Sequence, residues 1–320
     1  MRRLDVVSVA AAMLLVISGA ACSSAPIPTA TSGYEPILVA TSDDSPALVA
    51  TAESQPTPET ATATEGQLKK FEDFDPNNFD RSTNIDNEWL PLLPGTQFIY
   101  EGFTIDEDEI IPHRLVFTVT DLTKEIEGVR TVVAWIADYS AGELVEAEIA
   151  FYAQDTHGNV WYMGEYPEEY ENGSFVAAPT WIHGLAGARA GIAMLADPKL
   201  SALSYSQGWG PAVDFTDRAK VDEIGQKTCV PIQCYEQVLA IAESSLTEVD
   251  AFQLKYFARG LGKIGVGWRG ADATREELGL VEVNRLGPEA LAQIHMQALE
   301  LENHAYEVSQ DVYGRTQPAE

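Results

Sequence analysis

The side chains best spaced for chemistry are Asp155 and His157, two residues apart, followed by Glu165 and His183. In an extended chain an aspartate and a histidine at that spacing share one face. There they could act as base and acid, or hold a metal with a further carboxylate. The stretch Gln154-Asp155-Thr156-His157-Gly158-Asn159 also has the Asp, Gly and Asn that a hairpin connection requires, and a turn is the simpler reading of it. Glu165, Glu168 and Glu169 stand among Trp161, Tyr162, Tyr166 and Tyr170, and acids beside aromatic platforms are the ingredients of a sugar-hydrolysing site. Asp73, Asp75 and Asn77 alternate like the start of a calcium loop. Asn78 stands where the turn glycine belongs, however, and Asn84 where the terminal bidentate acid belongs, so no metal is expected there. Hydrolase, zincin and phosphate-loop signatures are missing, and no cofactor is expected.

The amino terminus reads as an export address. Arg2 and Arg3 precede an apolar run over 6–17 that is too short to span a bilayer, and residues 1–21 read as a signal peptide. Ser18-Gly19-Ala20-Ala21-Cys22 resembles the lipobox of bacterial lipoproteins, which implies lipidation of Cys22 and anchoring to the outer face of the cytoplasmic membrane or to an outer membrane. Of three cysteines, Cys229 and Cys234 then remain as a pair, expected as a disulfide around turn-prone Pro231. The formal charge of −29 makes nucleic acid an unlikely partner and leaves membrane attachment to the acyl chains rather than to a basic patch.

Residues 22–67 are rich in Ala, Thr, Pro and Ser and lack apolar periodicity, as expected of a disordered tether. From 68 to 314 the composition is that of one β-rich globular domain, and 315–320 form a tail. Alternation of period two dominates, as where Val145, Ala147, Ile149, Phe151 and Ala153 oppose Glu146, Glu148, Tyr152 and Gln154. Similar runs bounded by Gly and Asp turns predict an antiparallel sheet, curved or closed like a barrel. One helix is expected over about 288–305, opened by Gly287-Pro288-Glu289, with Leu291, Ile294, Ala298, Leu301 and Ala305 on one face. The segment 167–199, with spaced glycines, reads as a long irregular excursion between strands.

Several phrases carry a resemblance: Ile85-Asp86-Asn87 with Trp89 and Pro94-Gly95-Thr96, Gly158-Asn159-Val160-Trp161-Tyr162, Lys255-Tyr256-Phe257-Ala258, and Asp311-Val312-Tyr313-Gly314. Together they resemble a family of bacterial secreted proteins and lipoproteins common in actinobacteria. That family has no assigned activity, so the resemblance implies export and a globular domain and transfers no catalytic residue.

The expected function is that of an extracytoplasmic, lipid-anchored, non-catalytic module. Its curved sheet would bind an apolar or amphipathic ligand, or an envelope partner, against inward Phe117, Trp135, Phe151, Trp161 and Trp181. One alternative is a secreted hydrolase of carbohydrates or esters using Asp155, His157, Glu165 and His183, which requires those side chains to converge in one cleft. The other is a structural envelope or adhesion module.

Overall fold

The computed structural model describes residues 69–320, apart from 107, 247 and 249. The signal sequence, Cys22 and the tether expected over 22–67 lie outside the described residues. Among the described residues ten long strands and five short ones follow a 3-10 turn at Pro76–Asn78. They are β1 (Thr96–Asp106), β2 (Glu109–Ile126), β3 (Val129–Ser140), β4 (Glu143–Gln154), β5 (Val160–Glu171), β6 (Ser174–Ala177), β7 (Trp181–Ile182), β8 (Arg189–Met194), β9 (Tyr205–Ser206), β10 (Gly208–Trp209), β11 (Arg218–Val230), β12 (Gln233–Ser244), β13 (Ala251–Ala258), β14 (Gly262–Gly270) and β15 (Glu277–Arg285). A single long helix, α1 (Pro288–Val308), comes last.

The strands form one antiparallel sheet in the order β10-β8-β5-β4-β3-β2-β1-β15-β14-β13-β12-β11-β9, with β6 and β7 also on β5. The sheet is curved and not closed, the mainly β class with one C-terminal helix that the alternation implied. Its two ends are consecutive in the chain, because β9 pairs with β11 and β10 with β8 while Gln207 alone separates them. That approach requires glycine at 191, where a Cβ would lie 2.2 Å from the Gln207 carbonyl carbon.

The segment 167–199 is more regular than its sequence suggests. β5 continues to Glu171, and β6, β7 and β8 fold back onto it through the pairs Glu169↔Ala177, Gly164↔Ile182 and Trp161↔Ile192. These strands are two to six residues long, too short for alternation to show.

Both faces of the central strands are covered. Val133, Ile149, Phe151, Met163 and Tyr166 form the outer layer with Leu301, Ala305 and Tyr313. α1 packs over β2 and β4, burying Ala298, Leu301, Glu302 and Ala305, and it ends three residues beyond the expected 305. The inner face is concave. Cys229 and Cys234 form a disulfide at the β11–β12 turn, whose Pro231 lies against Gly279 so closely that a Cβ there would meet its ring at 2.6 Å.

A buried ion pair holds α1 and the tail in place. Lys124, whose side chain is fully buried, donates to Glu302 Oε1 at 2.7 Å, to Tyr306 Oη at 3.2 Å and to the Gln317 carbonyl at 2.5 Å. Glu302 also accepts from Tyr313 Oη at 2.9 Å and from the Ala319 N–H at 3.0 Å. Glu320 exchanges backbone hydrogen bonds with Thr123, so the tail expected over 315–320 is tied to β2. Burial lowers the Lys124 pKa and Glu302 opposes that shift. Removing one partner of such a pair leaves the other charge buried and unmatched. Lys124→Ala is therefore expected to lower the unfolding free energy by about 3–5 kcal/mol. Lys124→Met combined with Glu302→Gln should recover most of it, as read by urea denaturation.

Candidate functional site

A segment ahead of β1 covers part of the concavity. The Asn87 side chain accepts from the Trp89 and Leu90 N–H groups and donates to the Gly158 and Leu195 carbonyls, at 2.8 to 3.2 Å. This clamp places Leu90, Pro91 and Leu92 on the wall of a cavity of about 220 Å3. Phe98, Leu115, Phe117, Ile136, Phe257 and Leu278 supply its apolar side. The same cavity is lined by seven carboxyl groups, those of Asp138, Glu146, Glu148, Glu165, Asp217, Glu243 and Glu276, against the two lysines Lys255 and Lys263.

The acids reach this space by strand alternation and by one bulge. Glu146, Glu148 and Tyr152 lie on the β4 face opposite Ala147, Ile149 and Phe151, and it is this polar face that looks inward. On β5, Tyr162 and Glu165 are three apart and would fall on opposite faces of a regular strand. The ladder shifts, pairing Tyr152 with Tyr162 but Phe151 with Gly164 and Ala150 with Glu165, so the bulge turns both side chains inward. Gly164 makes this possible: its φ is +140° and a Cβ would lie 2.5 Å from the Trp181 carbonyl oxygen.

A polar chain runs through the resulting cluster. Trp181 Nε1 donates to Glu165 Oε1 at 2.9 Å, and Tyr162 Oη lies 3.0 Å from Glu148 Oε1 and in short contact with Glu165 Oε2. One hydroxyl proton cannot serve two carboxylates. Glu165 is held neutral by burial and then by the charge of Glu148, so it brings a proton of its own to the hydrogen bond that it shares with Glu148, and the Tyr162 hydroxyl donates the other proton to the pair. Tyr152 stacks on Tyr162 at 5.0 Å, and Trp181 stacks on Phe215 at 4.8 Å.

The remaining groups divide into partnered and unpartnered. His113 sits between Asp138, 2.5 Å from Nε2, and Glu276, 3.2 Å from Nδ1. Burial alone would lower its pKa, but the hydrogen bond and charge of Asp138 and the charge of Glu276 override that and raise it. Glu276 also accepts from Gln253, and Glu243 accepts from Gln207 at 2.8 Å and lies 3.8 Å from Lys255. Burial pushes Glu148 up to about 7. Burial and then the charges of Glu243 and Glu165 push Asp217 up to about 8. Burial and then Lys255 pull Lys263 down to about 8. The most strongly raised carboxyls and the most strongly lowered lysine thus gather in this cavity, as perturbed groups do at functional sites.

The residues singled out by spacing are distributed differently. Asp155 is consumed by its turn, accepting from the N–H groups of His157 and Asn159 and from Trp161 Nε1, each at 2.9 Å. His157 is exposed, with Nδ1 4.0 Å from Asp155. His183 is buried against Phe74 at 4.2 Å; its Nδ1 accepts from the Ala190 N–H, and burial lowers its pKa to about 4. Of the four, Glu165 alone lines the cavity, and neither Asp155, His157 nor His183 hydrogen-bonds to it. Asp75 caps the Pro76–Asn78 turn, and among the described residues no cluster of three His, Cys, Asp or Glu could hold a metal.

Among the aromatic candidates, Phe117 lines the cavity and Trp181 supports it through Glu165. Trp135, Phe151 and Trp161 pack in the outer layer, because the apolar face of the alternation is the one that the helix and the flanking segments cover. Sequence reasoning missed Glu146, Glu148, Asp217 and Lys263. Their signal was present, as a polar face opposite an apolar one, but a strand covered on both sides has the same pattern as one facing water.

The sequence matches no protein-family model and no curated protein. Among solved structures it is similar to a Bacteroides fragilis protein inferred to be exported, with a YmcC-like fold, at 11% identity and a TM-score of 0.38 over 62% of this chain and 99% of that one. It is also similar to a Parabacteroides distasonis protein inferred to be a lipoprotein, at 9% identity and a TM-score of 0.35 over 62% and 100%. The resemblance to actinobacterial secreted proteins has no counterpart in these comparisons.

The pH dependence of stability follows from the raised carboxyl pKa values. A carboxyl that is neutral in the fold contributes stability below its unfolded pKa, and that contribution is lost as pH rises through the folded value. The melting temperature of the ligand-free protein should therefore fall between about pH 5 and 8, with Glu148, Asp217 and His113 acting in the same direction and His183 opposing. Glu148→Gln and Asp217→Asn should each flatten that slope in differential scanning calorimetry.

Proposed function

We propose that this chain is an exported, lipid-anchored and non-catalytic binding protein whose cavity takes one small amphipathic molecule. The supporting observation is the cavity of about 220 Å3, apolar on one side and lined by carboxyls on the other. Its size limits the ligand. A cavity of about 150 Å3 accepts benzene, and drug-sized pockets begin at about 300 Å3, so the occupant is of the order of one ring with a short chain. A lipid's acyl chains exceed that volume. The lipobox over 18–22 supports anchoring through Cys22, which holds the domain outside the cytoplasm. A hydrolytic role through Asp155, His157, Glu165 and His183 draws no support from their separate placement.

Native mass spectrometry of protein taken gently from its own host should show a retained small molecule. Ile136→Trp, which fills the cavity, should abolish the adduct. An adduct that survives this substitution, or protein that is always empty, counts against the reading. Growth with an alkyne-tagged palmitate should label the wild-type chain and leave Cys22→Ala unlabelled.

A further inference from the structure

The polar side of the cavity is asymmetric in charge and in the partners supplied for it. Glu148 and Glu165 share Tyr162, Asp138 and Glu276 flank His113, and Glu243 has Gln207 and Lys255. The carboxyls of Asp217 and Glu146 accept no hydrogen bond from any described residue, although the Asp217 backbone carbonyl receives the Gln207 N–H at 2.8 Å. Asp217 stands beside Phe215 on the cavity wall, within electrostatic reach of Glu243 and Glu165 and of one cation, Lys255, which lies 3.8 Å from Glu243. The second lysine, Lys263, has its Nζ 5.0 Å over the Tyr100 ring and pairs with no carboxylate of a described residue within 4.0 Å.

A cavity that leaves a carboxyl without a protein donor is complementary to a ligand that brings one. Tyr152, Tyr162 and Phe215 also line the cavity, and a ring face not taken up by their stacking attracts a cation more than a neutral hydroxyl. An anion would meet the opposite arrangement, with seven carboxyls facing it and two lysines to hold it. The apolar side, at Phe98, Phe117 and Leu278, is matched to a hydrocarbon group and to little else.

We propose that the cavity selects a small organic cation, an amine carrying one apolar ring or short chain, with its ammonium held at Asp217 and its apolar end against Phe98, Phe117 and Leu278. This rests on the small-ligand reading above and specifies its chemistry. Binding ionises Asp217, which the ligand-free cavity keeps largely neutral, so the ammonium hydrogen bond is charge-assisted and shielded from water.

Isothermal titration of the full-length chain at pH 7 with 2-phenylethylamine, 2-phenylethanol and phenylacetate tests this, since the three probes share a ring and differ in the charge of the end group. The amine should bind about tenfold or more tighter than the alcohol, a difference typical of a charge-assisted hydrogen bond. Phenylacetate should not bind measurably. Asp217→Asn should reduce amine affinity about tenfold and leave the alcohol within about twofold. Equal or tighter binding of the alcohol or the carboxylate overturns the cation assignment while the small-ligand reading stands, as does amine binding indifferent to Asp217→Asn. Failure of all three probes overturns both. The wild-type comparison decides the point even if Asp217→Asn does not fold.

Discussion

Carboxyl groups crowded around one part-open cavity govern this structure. Seven line one cavity with two lysines, and a set of that composition cannot ionise together in a low-dielectric interior. The fold meets the constraint in three ways. Glu165 is kept neutral and enters a chain of hydrogen bonds from Trp181 to Glu148. Asp138 and Glu276 share His113, and Lys255 offsets Glu243. Asp217 and Glu146 are left without a donor among the described residues, and those exceptions make the cavity chemically distinctive.

The rest of the architecture frames this part-open interior. The Asn87 clamp draws the segment before β1 across the concavity, and α1 covers the opposite face of the same strands. Lys124 and Glu302 tie α1, Tyr313 and the tail together beneath that cover. A sheet coated on both faces can place polar groups on its inner side only if they are partnered or neutral, whereas the outer side of β4 and β5 is mostly apolar. Lys124 and Glu302 obey the same rule by pairing with each other.

Much of the framework was legible residue by residue. The alternation through 145–154 marks β4 and separates its two faces correctly. Gly287-Pro288-Glu289 opens α1 where expected, and the Cys229–Cys234 pair closes the β11–β12 turn. The site was legible only in fragments. Phe117 and Glu165 were marked, but Trp135, Phe151 and Trp161 were assigned to the ligand side because an apolar face is ordinarily the one turned toward an enclosed interior. Asp155 and His157 had the spacing of a catalytic pair and the composition of a turn, and the turn together with Trp161 of β5 takes up the aspartate's hydrogen bonds.

The sequence by itself determined a mainly β domain, the two-residue period that sorts each long strand into faces, the closing helix and the disulfide pair. These depend on local spacing, which neighbouring residues share. Tertiary structure alone decided which face of β4 looks into the cavity, since that depends on where α1 and the segment before β1 come to lie. It also decided that Glu165 joins Tyr162, because the bulge at Gly164 is imposed by the approach of Trp181. The perturbed acids become visible only there, because desolvation is a property of the surroundings and not of the residue.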